Sequence, residues 1–198
     1  GDKPKNNGDD TLYGTPGNEE IDGGPGNDTA VFSDKNNSII LSQTAWQNTG
    51  EGKDRLISIE NVDAGAGNDL LYGNKSANIL RGQSGNDTIM GWNGNDIING
   101  GEGTDTAKFY GYDNRIDLNT NDWQNTGEGK DRLISIENVS AGSGNDYIIG
   151  NSAANILNGM NDNDTFYGGM GNDIIDGGEG SKDTALFSNL NNIIDLNV

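Results

Sequence analysis

The sequence has no cysteine and no histidine. Disulfides, thiolate and imidazole nucleophiles, and zinc or haem sites built on the usual ligands are therefore excluded. Proline occurs three times in 198 residues, and only 31% of the residues are hydrophobic. Basic residues are also scarce: 12 Lys and Arg stand against 31 Asp and Glu, a net charge of −19. Such a charge repels nucleic-acid phosphates and anionic membrane surfaces and attracts cations. No apolar run approaches the ~20 residues that a membrane helix needs. No segment of ten or more residues joins helical periodicity to caps. No signal peptide is visible, and the ends read as cut from something longer. An ordinary chain of this composition would stay disordered, because its apolar surface is too small to offset conformational entropy.

What is abundant is glycine, 32 residues, and it is periodic. Residues 82–90 read Gly-Gln-Ser-Gly-Asn-Asp-Thr-Ile-Met, 91–99 read Gly-Trp-Asn-Gly-Asn-Asp-Ile-Ile-Asn, and 100–108 read Gly-Gly-Glu-Gly-Thr-Asp-Thr-Ala-Lys. The beat is G-x-x-G-N-D-x-U-x, where U is apolar. Nine-residue frames run over 5–31, 64–108 and 141–176, then continue from Gly177 with one inserted residue before Asp183. Periodicity of this kind outweighs composition.

A 77-residue period lies over the first. The stretch 46–62, WQNTGEGKDRLISIENV, returns letter for letter at 123–139. The organisation is then a partial block at 5–32, a module at 33–109, its second copy at 110–187 and the start of another at 188–198. Near-identity over 46–62 suggests recent duplication within a larger array. The blocks leave through Phe32, Phe109 and Phe187, which are expected to plug the core. In the intervening segments, Ser38-Ile-Ile-Leu-Ser, Arg115-Ile-Asp-Leu and Asn192-Ile-Ile-Asp-Leu read as strands. Counting back from Ala64 puts Glu60 at the Asp position and Val62 at the apolar position, with Glu137 and Val139 likewise. These segments are expected to continue the same stack through wider, irregular coils; an independent loop or small strand pair is the alternative. Lys53-Asp54-Arg55 and Lys130-Asp131-Arg132, the main basic spots, read as solvated or paired with acidic turns.

Glycine at positions 1 and 4 permits positive φ and a tight turn. Two turns and two three-residue strands make an 18-residue coil, so equivalent residues 18 apart stack at ~4.8 Å. Leu71, Leu80, Ile89, Ile98, Ile148, Leu157, Phe166 and Ile175 then form a thin apolar filling. One carboxylate per turn falls into a column on each edge, which is repulsive without cations. Ca2+ fits: it takes six to eight hard oxygens and accepts carbonyls and carboxylates together, whereas Mg2+ demands a stricter octahedron. Transition metals would want the missing His or Cys.

The beat resembles the glycine-rich nonapeptide G-G-x-G-x-D-x-U-x of RTX proteins, the hemolysin-type calcium-binding repeat. The resemblance implies an all-β fold, a right-handed parallel β-roll with Ca2+ between turns of adjacent coils, held by Asp side chains and turn carbonyls. It implies a module of secreted or cell-surface bacterial proteins, commonly exported by type I systems, unfolded in low calcium and folded outside. Carried over by position, the carboxylate ligands are Asp10, Asp28, Asp69, Asp87, Asp96, Asp105, Asp146, Asp164, Asp173 and Asp183. Adjacent-coil pairs are Asp10 with Asp28, Asp69 with Asp87, Asp87 with Asp105, and Asp146 with Asp164. Glu60 and Glu137 complete the set, as do Asn78 and Asn155, which offer only a neutral oxygen. The turn carbonyls are those of Gly82, Ser84, Asn86, Gly91, Asn93, Asn95, Gly100, Glu102, Gly159, Asn161, Gly168 and Met170. Glu20 stands for Asp in the second unit, and the insertion puts the Asp183 site in question. About six ions, within roughly four to ten, follow from hard-oxygen coordination, and six would bring the charge of −19 to about −7.

The evenly distributed acids form no unique catalytic constellation, so a non-enzymatic module is expected, any catalytic domain of a parent protein lying elsewhere. The alternative is an adhesive or glycan-binding array in which Trp46 and Trp123 stack on sugars, or covers of a strand edge. End-to-end self-association through open strand stacks also stays open.

Overall fold

The structure is a computed structural model describing residues 7–187 and the backbone of 193–195. Lys5, which opens the first frame, and most of the copy expected at 188–198 lie outside the described residues. Among the described residues there are 22 strands and no helix. Most strands are three residues long, such as Leu70–Tyr72 and Thr165–Tyr167, with the middle residue buried and the outer two only partly so. This is the beat made visible. The side chain at position 8 is the only one that alternation sends inward, and the glycine-rich six that follow turn the chain, although Ile79–Ser84 and Ile97–Glu102 run on into them.

Pairing is parallel, with partners 18 residues apart in the regular coils. Ile89 lies opposite Leu71, Leu80 opposite Ile98, Ile148 opposite Phe166 and Leu157 opposite Ile175. Four sheets of seven, eight, four and three strands build the two faces of a parallel β-roll. The apolar filling between them is continuous from Leu12 to Ile175. Phe32 and Phe109, each 4% exposed, belong to this filling rather than closing it, and Phe187 is 43% exposed and plugs nothing among the described residues.

The intervening segments continue the stack. Thr29–Val31 pairs directly with Asn61–Asp63, and Thr106–Lys108 with Asn138–Ser140, 32 residues on rather than 18. Val62 and Val139 are buried at the expected apolar position. The longer coil takes up its extra residues by folding back. Gln47–Asn48 runs antiparallel to Lys53–Ile57, which lies parallel to Glu20–Asp22. In the second copy, Gln124–Asn125 runs antiparallel to Lys130–Ile134, which lies parallel to Ile97–Glu102. The far side of each fold-back is joined by a side chain. Gln47 Oε1 accepts from the Ile40 N–H at 2.8 Å, and its Nε2 donates to the Ile40 carbonyl at 3.1 Å. Gln124 does the same to Asp117, at 2.7 and 3.1 Å. An amide side chain here replaces a strand's backbone amide.

Two details differ from expectation. The left-handed residues are those at positions 2 and 4, such as Gly101 (φ 107°) and Gly103 (φ 140°), and even Trp92 at position 2 has φ 66°. Glycines at position 1, including Gly82, Gly91 and Gly100, are not left-handed. They are needed for room: a Cβ on Gly82 would collide with the Asp87 carboxylate. In the second unit, position 6 is Glu19 rather than Glu20. Ile21 is the buried position 8, and exposed Glu20 lies on the strand with its Oε2 3.2 Å from Arg55 Nη1.

Because each coil buries so few side chains, one truncation removes a large fraction of its filling. Ile89→Ala should cost roughly 2–5 kcal/mol. Ile156→Ala, at an outward position 47% exposed, should cost under about 1 kcal/mol. Urea unfolding in saturating calcium measures both, and equal losses would contradict the register.

Candidate metal centre

Each acidic residue at position 6 sits at the end of a turn, directly before a strand, and 18 residues place it above its counterpart. One carboxylate oxygen binds the neighbouring coil. Asp28 Oδ1 accepts from the Asp10 N–H at 2.7 Å, Asp87 Oδ1 from Asp69 and Asp105 Oδ1 from Asp87, both at 2.8 Å, and Asp164 Oδ1 from Asp146 at 2.8 Å. Asp96 and Asp173 receive the amides of Asn78 and Asn155 in the same way. The insertion before Asp183 is absorbed in the turn: Asp183 Oδ1 accepts from Asp164 at 2.9 Å, and Thr184 pairs with Thr165. A second ladder runs in the opposite sense one residue earlier. Asn68 Oδ1 accepts from the Asn86 N–H at 2.8 Å, and Asn86 Oδ1 from Thr104 at 2.9 Å. That ladder accounts for the Asn in Gly-Asn-Asp.

The other carboxylate oxygen has no partner. Oδ2 of Asp10, Asp28, Asp69, Asp87, Asp96, Asp105, Asp146, Asp164, Asp173 and Asp183 is buried without a hydrogen bond. A buried polar atom is ordinarily satisfied, and an ionised carboxylate all the more so. Burial accordingly pushes the carboxyls of Asp69, Asp96 and Asp146 up to about 7 and those of Asp105 and Asp164 up to about 6. Desolvation is the largest cause in each. Neighbouring carboxylates add to it, Asp87 beside Asp69 and Asp183 beside Asp164. Asp87 and Asp173 are raised by the same burial.

The orphaned oxygens do not point into packed side chains. Around Gly82 the space of a Cβ is bounded by Asp87 Oδ2 and by the carbonyl of Gly100 from the next coil; around Gly159, by Asp164 Oδ2 and the carbonyl of Gly177. The first glycine is thus a cradle where a carboxylate of one coil and a carbonyl of the next converge. Among the described residues no three of His, Cys, Asp and Glu gather to hold a metal. The arrangement is instead one or two carboxylates per gap with main-chain oxygens, a hard-oxygen set that fits Ca2+.

The remaining residues expected as ligands are placed differently. Asn78 Oδ1 accepts from Asn74 N–H and its Nδ2 donates to the Glu60 carbonyl; Asn155 does likewise with Asn151 and Glu137. Their amides are already engaged. Glu60 Oε2 takes the Asp28 N–H at 2.9 Å and Glu137 Oε2 the Asp105 N–H at 2.8 Å. The turn before each has three residues, 58–60 and 135–137, instead of six. A longer acid spans the difference, and Ile59 and Ile136 are buried there. Of the turn carbonyls, those of Gly91, Gly100 and Gly168 face glycine cradles. Those of Ser84 and Glu102 accept the N–H groups of Gly67 and Gly85, at 2.7 and 2.8 Å.

Four column residues were not expected. Asn37 and Asn114 are buried with an orphaned Oδ1, and each donates its amide to turn carbonyls. They lie nine residues past Asp28 and Asp105, so one more beat would have found them. Asp54 and Asp131, read as part of solvated basic spots, are 0% and 1% exposed. Asp54 Oδ1 accepts from Glu19 at 2.9 Å and Asp131 Oδ1 from Asp96 at 2.8 Å. Their signal is the run Thr49-Gly-Glu-Gly-Lys-Asp-Arg-Leu-Ile57, a full nonapeptide with Thr at position 1. Trp46 and Trp123 are each 45% exposed. They precede fold-backs on opposite faces of the roll, so they form no single ladder.

Residues 6–30, 49–89, 72–107, 136–165 and 149–181 match the family described as RTX calcium-binding nonapeptide repeat (4 copies), and the second match starts at Thr49. No curated protein matches the chain. The matched stretches cover more than half of the sequence, and with the stacked turns they show that the chain belongs to the RTX calcium-binding nonapeptide repeat family, a calcium-binding repeat typical of secreted bacterial proteins.

Proposed function

We propose that this chain is a structural module whose folding is driven by calcium. The observation that carries the reading is the set of ten buried carboxylate oxygens without partners. The best-furnished gaps have an orphaned Asp on both sides: Asp10 with Asp28, Asp69 with Asp87, Asp87 with Asp105, Asp146 with Asp164, and Asp164 with Asp183. Asp96 faces gaps with a single orphaned carboxylate, as does Asp173 on the side of Asn155. Ca2+ supplies the positive charge that lets these oxygens stay ionised when buried; the chain's own residues set the gap width and exclude water. Binding energy is then folding energy. A chain of this kind can leave a low-calcium cell unfolded and become rigid outside, which supports placing the module in a secreted or surface protein whose activity resides elsewhere. The continuous filling from Leu12 to Ile175 supports one folding unit rather than separate blocks at 5–32, 33–109 and 110–187.

Far-UV circular dichroism tests the reading. The chain should be largely coil in chelator and become β-structured cooperatively on titration with calcium to ~10 mM, with magnesium failing to replace it. A chain equally structured in chelator would sink the proposal.

Asp87 faces two gaps. Asp87→Ala should raise the calcium midpoint about tenfold, equivalent to about 1.4 kcal/mol, whereas Asp122→Ala, at an exposed position, should leave it unchanged. Equal midpoints for the two variants would refute the ligand assignment.

Protons and calcium compete for the same oxygens. Carboxyls raised on folding from 3.8 to about 6 or 7 bind protons more tightly in the folded state. The metal-free fold therefore gains stability as pH falls from about 7 toward 4 and loses it as pH rises again. In chelator the β signal should be larger at pH 5 than at pH 8, while the calcium needed for folding should be greater at pH 5. A chelated chain that loses β structure on acidification would contradict this linkage.

A further inference from the structure

In nine of the ten turns with an orphaned Asp, position 1 is described, and it is Gly or Ala in every one, including Ala64 before Asp69 and Ala141 before Asp146. In the two fold-back turns it is Thr. Thr49 and Thr126 are both 0% exposed. Each occupies the place of the glycine cradle and donates its hydroxyl to Oδ2 of its own turn's acid, Thr49 to Asp54 and Thr126 to Asp131. Their Oδ1 atoms receive a neighbouring backbone N–H, as elsewhere in the columns. Asp54 and Asp131 are therefore buried column carboxylates with both oxygens satisfied, and neither is orphaned. The difference from Asp87 or Asp105 is a single hydroxyl.

We infer that Thr49 and Thr126 take the place of the cation at these two turns, so that the residue at position 1 decides which turns of the roll bind calcium. Glycine leaves Oδ2 facing an open cradle that a Ca2+ ion can share with the next coil. Threonine fills the cradle and directs its one hydroxyl proton to the oxygen the ion would need. The same segments satisfy other groups internally: Gln47 and Gln124 complete the strand edge, and Ile59 and Ile136 fill the shortened turns. They are calcium-independent joints between calcium-dependent blocks. Thr126 gives the cleaner case, because the amide of Asp96 is bound to Asp131 and Asp96 Oδ2 is itself orphaned. Removing the hydroxyl and its side chain there makes a gap with two orphaned carboxylates, like that between Asp87 and Asp105.

This inference rests on calcium being the ion of the proposed function, and one experiment separates the two. Bound Ca2+ is counted by equilibrium dialysis at saturation for the whole chain and for Thr126→Gly, Thr126→Val and Thr126→Ser. The Gly variant should bind one ion more than the unaltered chain. Val keeps the bulk without the proton and should bind the same number as the unaltered chain, unfolding in less urea. Ser keeps the hydroxyl and should bind the unaltered number. No calcium bound by the unaltered chain would overturn the proposed function itself. Calcium bound, with no added ion in Thr126→Gly, would overturn the role given to threonine. An ion lost in Thr126→Val would also overturn it, by making the hydroxyl a ligand. If Thr126→Gly does not fold, Thr126→Ala, which places there the residue found at position 1 before Asp69 and Asp146, gives the same count with the same outcomes.

Discussion

The structure depends on a carboxylate asked to do two things at once. One oxygen of each position-6 acid ties its coil to the next through a backbone amide, and that bond sets the stacking register along both edges. The tie places the second oxygen inside the turn, out of water and without a donor. Burying an unpaired ionised carboxylate costs several kcal/mol, and that cost repeated along a column is large against the ~5–15 kcal/mol by which domains are normally stable. The column can hold as ions only with positive charge between the coils, or as acids once protonated. The carboxyls raised to about 7 at Asp69, Asp96 and Asp146 express the same conflict on the proton scale. A low apolar content belongs to the same logic. A chain with a strong core would fold before calcium reached it.

The turn geometry follows from the need to leave that oxygen accessible. Positions 2 and 4 reverse the backbone through left-handed conformations, which glycine adopts at little cost and Gln83, Trp92, Met160 and Asp162 adopt as the exceptions. Position 1 has a different task. It has no unusual φ, but its missing side chain is the space where oxygens of two coils meet. At several departures from the beat the substituted residues satisfy the same oxygen. Asn78 and Asn155 replace the charge with an amide that the turn itself satisfies, Glu60 and Glu137 reach across a shortened turn, and Thr49 and Thr126 supply a hydroxyl.

Much of this was legible because a nine-residue beat leaves few choices. The inward residues from Leu71 to Ile175, the stacking of equivalent residues, and nine of the ten aspartates whose second oxygen is orphaned lie where the beat puts them, Asp183 falling one residue later. The misses have physical causes. Spacing shows that a glycine is required but not whether for φ or for room, so position 1 was misread. The pair Glu19-Glu20 offers two acids to one slot, and only the burial of Ile21 decides between them. The nonapeptide at 49–57 was hidden because counting back from Ala64 assumes a six-residue turn where residues 58–60 make one of three. That frame placed Asp54 off the column, among charges that looked solvated.

The repeat length has a consequence for shape. Each fold-back adds two strands to one face and none to the other, about 10 Å of extra stack at ~4.8 Å per strand. If every copy made its addition on the same face, the roll would bend steadily toward the other. In this chain the first addition lies beside Glu20–Asp22 and the second beside Ile97–Glu102, on the opposite face. The alternation arises because each module sends an odd number of steps across the core, so identical sequences arrive half a coil out of phase. Trp46 and Trp123, identical in context, consequently look out on opposite sides. A sugar-binding surface built from them would decorate both faces of the roll rather than line one, and the half-coil offset rules out a single aromatic track along it.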